Sequence, residues 1–269
     1  MRRFTIEGLS TNFGAWAFFV KVLLNSMPNN ILNIFVDYDN LDKISKNRGL
    51  KFIVNGIISR LDETEFNEIK DLTIRLYGGW YSAKDSTSVS QSLSIEIVRD
   101  FPNIFINTKT QRIFKVKVEL AYGLLISPMV HFYNTYRIRG FQSDIKAVNP
   151  SEKGCVDPNC PTRLVYQFIN FGTVQSQCCK ITPEDMLYKG VQKLVDNMLC
   201  CDIFYVLKNN MGPVVIVSSD EDFWPIIFFV FTSNIKIIHI NTKPDRAFSK
   251  MYKQTANTYY SEKLIWQII

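Results

Sequence analysis

Residues 31–40 read Ile31-Leu32-Asn33-Ile34-Phe35-Val36-Asp37-Tyr38-Asp39-Asn40, an apolar run broken only by Asn33 and closed by two aspartates. The run is short, β-rich and apolar at successive positions, so it offers no face to water. A strand covered on both faces belongs to a parallel sheet. It therefore predicts an α/β protein, and also where its chemistry sits. In open parallel sheets, ligands bind outside the carboxyl ends of the strands. Here that end carries Asp37 and Asp39.

Working outward, residues 214–217 form a second buried run, followed by Ser218-Ser219-Asp220-Glu221-Asp222. Further strands are expected at 71–77, closed by Gly78-Gly79, at 103–107 and at 235–240. Across 113–125, Phe114, Val116 and Val118 alternate with Lys115, Lys117 and Glu119, which is strand period. Helical spacing predicts helices at 42–60, with Ile44, Phe52, Ile53, Ile57 and Ile58 on the core side, and at 89–99 and 223–231. A long helix is expected at 184–208, opened by Pro183, because proline suits the first helical position. Strands alternating with helices give a parallel sheet flanked by crossover helices.

Carboxylates gathered at one edge repel each other, and a bound cation or proton offsets that cost. Mg2+ and Mn2+ prefer oxygen ligands and use a few carboxylates together with water. A third contributor comes from the long helix, where Val195, Leu199 and Ile203 make a buried stripe with Asp196 beside it, near the sheet end. An aspartate after a strand also serves as a turn former or helix cap. That role suits Asp39 and Asp222, and Asp202 reads as structural.

Taken in order, these motifs resemble those of NYN domains, which belong to the PIN-like nucleases. They are Asp37-x-x-Asn40; Lys193-x-Val195-Asp196 with Asp202 six residues on; and Ser218-x-Asp220-x-Asp222-Phe223. The resemblance covers residues 31–125 and 184–242. It implies a PIN-like (Rossmann-like) parallel sheet and a metal-dependent endonuclease, usually an endoribonuclease. Asp37, Asp196 and Asp220 would then be the Mg2+ or Mn2+ site, and Asp222 a fourth acid. Asn40 would orient Asp37 or touch substrate, and Ser218 or Ser219 would hold a phosphate or a ligand carboxylate. Leu194 departs from the family's Lys-Gly-Val-Asp. Lys189-Gly190-Val191-Gln192 offers a second register; the Lys193 register is preferred because it supplies both Asp196 and Asp202. Two rivals stand beside this reading. Asp37-x-Asp39 crudely resembles the opening motif of haloacid-dehalogenase-like phosphatases, with Asp39 as general acid, although Leu41 stands where that family has Thr or Val. The other rival is a non-catalytic RNA-binding module of the same fold.

The chain has 269 residues, a net charge of +6 and 46% apolar residues, which suits one α/β domain with an insertion, or one domain with a small satellite, and is compatible with a polyanionic partner, which the resemblance makes RNA. No stretch is apolar and long enough to span a bilayer; the best, residues 14–24, is broken by Lys21. Residues 1–30 are expected to form a helical extension packed on a domain of residues 31–269. The six cysteines include two adjacent pairs, poor geometry for disulfides, which points to a reducing, cytoplasmic setting. Residues 137–183 read as an insertion in which Cys155, Cys160, Cys178 and Cys179 look like a structural Zn2+ clip, the adjacent pair being awkward as joint ligands, with free thiols as the alternative. Arg137, Arg139, Lys146, Lys153 and Arg163 surround it as a possible phosphate grip. Cys200 and Cys201 read as small core residues on the helix. Trp80 and Tyr81, after Gly78-Gly79 at a strand end, read either as stacking partners for bases or as core or cleft-wall residues. His239 reads as a core histidine, and His131 belongs to no nucleophilic constellation. No glycine-rich phosphate loop is present, so no nucleotide cofactor is expected.

Overall fold

The structure, a computed structural model, describes residues 31–61, 68–140, 146–157, 159–172, 181–209, 211–243 and 258–266. The expected N-terminal helix, Cys178 and Cys179 lie outside the described residues. In chain order the strands are β1 (Ile31–Asp37), β2 (Asp71–Tyr77), β3 (Tyr81–Ser82), β4 (Asp85–Ser86), β5 (Asn103–Ile106), β6 (Ile113–Leu120), β7 (Tyr136–Gly140), β8 (Tyr188–Gln192), β9 (Val214–Val217), β10 (Ile237–Asn241) and β11 (Tyr260–Leu264). The α-helices are α1 (Lys43–Asn47), α2 (Leu50–Ile58), α3 (Ser88–Asp100), α4 (Pro161–Phe171), α5 (Pro183–Met186), α6 (Val195–Lys208) and α7 (Trp224–Thr232).

The protein is mixed α/β, with a central, mostly parallel sheet flanked by helices. The sheet has seven strands in the order β11-β10-β9-β1-β2-β6-β5. Every neighbouring pair is parallel except β5 with β6. From β1 the chain builds outward through β2 and β6 on one side, then through β9, β10 and β11 on the other. The order reverses between β1 and β9, and a crevice opens at the carboxyl ends of the strands at such a point.

Successive strand residues face opposite ways, and the sequence supplies apolar side chains for both faces. Leu32, Ile34 and Val36 of β1 join Leu72, Ile74, Val215 and Ile238 against Ile53, Val54 and Ile57 of α2 and Leu93 of α3. Phe35 joins Tyr77, Val214, Ile216 and Ile237 on the other face, covered by Val195, Leu199 and Ile203 of α6 and Ile227 and Val230 of α7. Each fully buried side chain of this size contributes about 1.5–3 kcal/mol, so the double-sided strands anchor the fold.

Several expectations are corrected. The helix expected over 42–60 is two helices. Asp42 caps α1 by accepting from Ser45 N at 2.8 Å, and Gly49, at φ 85°, breaks the chain before α2 begins. The break swings Ile44 out of the core, leaving it 73% exposed. The helix expected over 184–208 is α5, then β8, then α6. β8 pairs antiparallel with β7, and a Cβ at Gly190 would fall 2.2 Å from Tyr136 Oη, so the missing side chain lets the strands meet. The strand expected over 113–125 stops at Leu120. Residues 137–183 take in all of β7 but its first residue, a 3-10 turn at Pro150–Lys153, α4 and the first residue of α5. β7 belongs to a second sheet, ordered β4-β3-β7-β8. Among the described residues no helix is long and apolar enough to cross a membrane.

Candidate active site

The pleat of β1 sends Phe35 to the α6 face, and Asp37, two residues on, shares its parity. On β9, Val214 and Ile216 lie on that same face, and the parity continues to Ser218. The two residues meet across the switch point: Ser218 Oγ donates to Asp37 Oδ2 at 2.8 Å. Asn40 N reaches the other oxygen, Oδ1, at a longer 3.4 Å. Asp220 follows directly, its N–H bonded to Ser218 Oγ at 3.0 Å, and its Oδ1 accepts from Asp222 N at 3.1 Å. Asp220, rather than Asp222, therefore caps the short 3-10 turn at Glu221–Phe223. α7 starts without a side-chain cap, so the expectation that Asp222 caps it is not met. α6 contributes Asp196 in its first turn.

These carboxylates share one electrostatic field. Asp37 is 5% exposed, and burial pushes its pKa up to about 7; Ser218 lowers it, while the charges of Asp196 and Asp39 raise it further. Asp196 is raised by burial, then by Asp220, Asp222 and Asp39, with Lys193 offsetting in part. Asp39 is raised by burial and eased by Gly79 N, which donates to its Oδ2 at 3.0 Å, and by Lys46 and Gln192. Gln192, the last residue of the second motif register, thus touches Asp39. Such a cluster favours a proton or a hard cation. Among the described residues no three Asp, Glu, His or Cys side chains are already gathered into a set that could hold a metal ion.

Sequence reasoning missed the group that ties the strand ends together. Asn40 Oδ1 accepts from Ser219 N at 3.2 Å and from Thr242 Oγ1 at 3.0 Å. Ser219 Oγ donates to Asn241 Oδ1 and accepts from Thr242 N and Lys243 N, each at 2.8 Å. The Ser219 hydroxyl thereby joins the loops after β9 and β10, and the Asn40 amide oxygen ties the loop after β1 to both. A signal existed: Asn241-Thr242 ends a strand at the same edge as Asp37 and Ser218. His239 is a fully buried, satisfied core histidine, its Nε2 2.9 Å from Ser218 O and its Nδ1 3.2 Å from Tyr260 Oη.

Asp202, six residues beyond Asp196 on α6, has a structural role. It is 1% exposed, and its Oδ2 accepts from Arg75 Nε at 3.1 Å and Tyr77 Oη at 2.6 Å, while Oδ1 accepts from Leu125 N at 2.7 Å. Arg75 also bonds Glu119 and the Gly123 carbonyl. This buried knot fastens α6 to β2 and so sets where Asp196 stands.

The remaining expectations fare unevenly. Trp80 is 1% exposed, its Nε1 donating to Leu76 O at 3.2 Å, so it is a core residue and not a stacking surface. Tyr81 is also buried; its hydroxyl meets His131 Nδ1 at 2.8 Å. Cys201 is exposed and Cys200 half-buried, so the pair is not in the core. Cys155 and Cys160 are free thiols with some exposure. Their side chains hydrogen-bond each other, and Cys160 also contacts Thr162, which lowers its pKa. Arg137 and Arg163 are committed to the carbonyls of Asn134 and Cys155, while Lys146 and Lys153 are exposed. The side chain of Arg139 lies outside the description. No protein-family model, curated protein or solved structure matches this chain.

Proposed function

We propose that this chain is a metal-dependent nuclease of the PIN-like, NYN kind, an endoribonuclease acting in the cytoplasm, with Asp37, Asp196 and Asp220 as ligands of Mg2+ or Mn2+ and Asp222 as a further acid. The observation that carries the reading is the convergence of acids from three separate chain segments at the β1/β9 switch point, where burial raises the pKa of both Asp37 and Asp196, and the charge of Asp196 raises Asp37 further as the charges of Asp220, Asp222 and Asp39 raise Asp196. The donor set is all oxygen, as a hard cation requires. Leu194 supports the motif register: it adopts φ 72°, a conformation that favours glycine, at the place where the family carries glycine. Gly190, in the alternative register, is not among the glycines with positive φ.

When bound, the cation would polarise a phosphate oxygen and make a water molecule more acidic. The chain's own residues prepare the site. Ser218 orients one oxygen of Asp37, leaving the other to the weaker Asn40 N–H contact. Asn40 Nδ2 has no hydrogen-bond partner among the described residues and is available to a phosphate oxygen. Arg75 and Asp202 hold α6 in register. Cys155 and Cys160 offer two soft thiolate donors for the structural Zn2+ that we propose alongside.

The test is cleavage of end-labelled single-stranded RNA, structured RNA and DNA with Mn2+ or Mg2+, repeated in EDTA. Cleavage of RNA is expected with metal only, and Asp37→Asn and Asp196→Asn should each slow it by more than about 100-fold. Absence of cleavage under every metal, with the variants binding RNA like the parent, would sink the enzyme and leave a binding module.

A further inference from the structure

Beside the acidic cluster, at the same carboxyl edge of the sheet, lies a cavity of about 430 Å³. Its walls come from α1 and α2 on one side and from the ends of β10 and β11 on the other. Ile44, Phe52, Leu264 and Trp266 form an apolar lining; Arg48, Thr242 and Lys243 stand at its polar rim.

The aromatic wall is rigidly built. The rings of Phe52 and Trp266 stack with centroids 4.2 Å apart and planes at 21°. Trp266 Nε1 donates to Ser45 Oγ at 2.9 Å. The indole also lies across Gly56, where a Cβ would fall 2.3 Å from it, so only glycine admits the ring this close. The Arg48 guanidinium, which also lines the cavity, sits 3.8 Å from the centroid of the Phe52 ring. A guanidinium stacked on a ring keeps its N–H groups in plane and able to bind phosphate.

The charges at the rim are unbalanced. Asp42 also lines the cavity and keeps its charge, since burial raises its pKa but the bonds from the Ser45 N–H and hydroxyl lower it below the ordinary value; two cations therefore stand against one carboxylate. Among the described residues neither Arg48 nor Lys243 has a carboxylate partner. An apolar, aromatic-walled cavity of this size with two unpaired cations suits a flat aromatic body that carries negative charge. It also adjoins the acidic site: the Thr242 hydroxyl is 3.0 Å from Asn40 Oδ1, and Asn40 N bonds Asp37.

We propose that this cavity is a nucleotide-binding subsite, with the base against Phe52, Leu264 and Trp266 and a phosphate met by Arg48 and Lys243. Its assignment to a substrate strand rests on the nuclease reading above; its chemistry as a nucleotide site does not. No cofactor role is needed, since the cavity lies against the place where a strand crossing the acidic cluster would continue.

The experiment is calorimetric binding of 5′-AMP, 5′-UMP and a single-stranded pentaribonucleotide in EDTA, where metal-dependent cleavage is stopped. The parent is compared with Arg48→Gln, Lys243→Gln and Asp37→Asn. Arg48 and Lys243 sit at the rim rather than in the core, and far-UV circular dichroism checks that their variants fold. The monophosphates should bind the parent and lose about tenfold in affinity with each rim variant, as expected for losing a charge-assisted contact. Quenching of tryptophan emission by AMP should disappear in Trp266→Phe, which keeps an aromatic wall. A pentaribonucleotide binding at least tenfold tighter than AMP identifies a strand as the ligand; equal affinities identify a free nucleotide. No binding of any of the three by the parent, or unchanged affinity in both folded rim variants, overturns the subsite. Cleavage unaffected in Asp37→Asn would instead defeat the nuclease reading and leave these affinities as they are.

Discussion

Asp37 carries the main conflict in this molecule. Its ordinary pKa is 3.8, and in the folded protein it is pushed up to about 7, first by burial and then by its acidic neighbours. A raised carboxyl pKa means that the folded state holds the proton more tightly than the unfolded one. The associated stability is complete below the unfolded pKa and is lost as pH rises towards 7. At pH 8 without metal, Asp37→Asn should therefore be more stable than the parent by roughly 2–4 kcal/mol, at about 1.4 kcal/mol per pKa unit. The difference should shrink to near zero at pH 4, as read by urea unfolding in chelator; equal stabilities at pH 8 would show that the buried charge is already relieved. Leu194 tells a second residue-scale story. A left-handed backbone costs an L-residue about 1–2 kcal/mol, and Leu194, at 41% exposed, recovers little of that by burial. Leu194→Gly should match or exceed the parent in urea midpoint and keep full cleavage; a clear loss of stability would mean that the leucine side chain matters more than its backbone.

At the scale of elements, α6 carries two acids with opposite duties, one in the site and one fastening the helix. Asp196, in its first turn, is crowded by like charges. Asp202 is locked to Arg75, Tyr77 and the Leu125 amide. Breaking a buried ion pair from one side leaves its partner charged and unmatched, at a cost of about 3–5 kcal/mol. Asp202→Asn should approach the lower end, because Glu119 still faces Arg75. Asp196→Asn should cost nothing in stability while removing activity. Urea titrations of the two variants side by side check this, and similar losses in both would contradict the division of labour. The same logic explains why α6 begins where it does: Lys193 N bonds Thr135 O at 2.9 Å, so the second sheet hands the chain to the helix at a fixed point.

Across the whole molecule, the carboxyl edge of the sheet gathers acids that only a proton or a cation can relieve. A ligand that binds the folded state alone stabilises it by about 2.7 kcal/mol at a hundred times its Kd. For a chain of this size, that corresponds to a rise in Tm of roughly 5–10 °C. Mn2+ or Mg2+ should raise the Tm of the parent at pH 8, EDTA should reverse the rise, and Asp37→Asn and Asp196→Asn should abolish it. An equal rise in the variants would place the cation elsewhere.

The local pattern of the chain was enough to specify the double-sided strands, the parallel α/β sheet and the two acidic strand ends. Each rests on apolar residues and aspartates that are neighbours in sequence. The stripe of Val195, Leu199 and Ile203 was readable for the same reason, since helical spacing is a local property. What tertiary structure decided depends on partners far along the chain. β8 reads as helix until β7, some fifty residues earlier, pairs with it. Ile44 reads as core until Gly49 turns α1 away. Trp80 reads equally as a base-stacking aromatic and as core until its indole finds the Leu76 carbonyl inside. Thr242 and Ser219 gain meaning only when β10 lies beside β9 and β9 beside β1. The apolar pattern determines which residues leave water; which of them meet is decided by packing, because contact across a sheet carries no imprint on the spacing of residues along either strand.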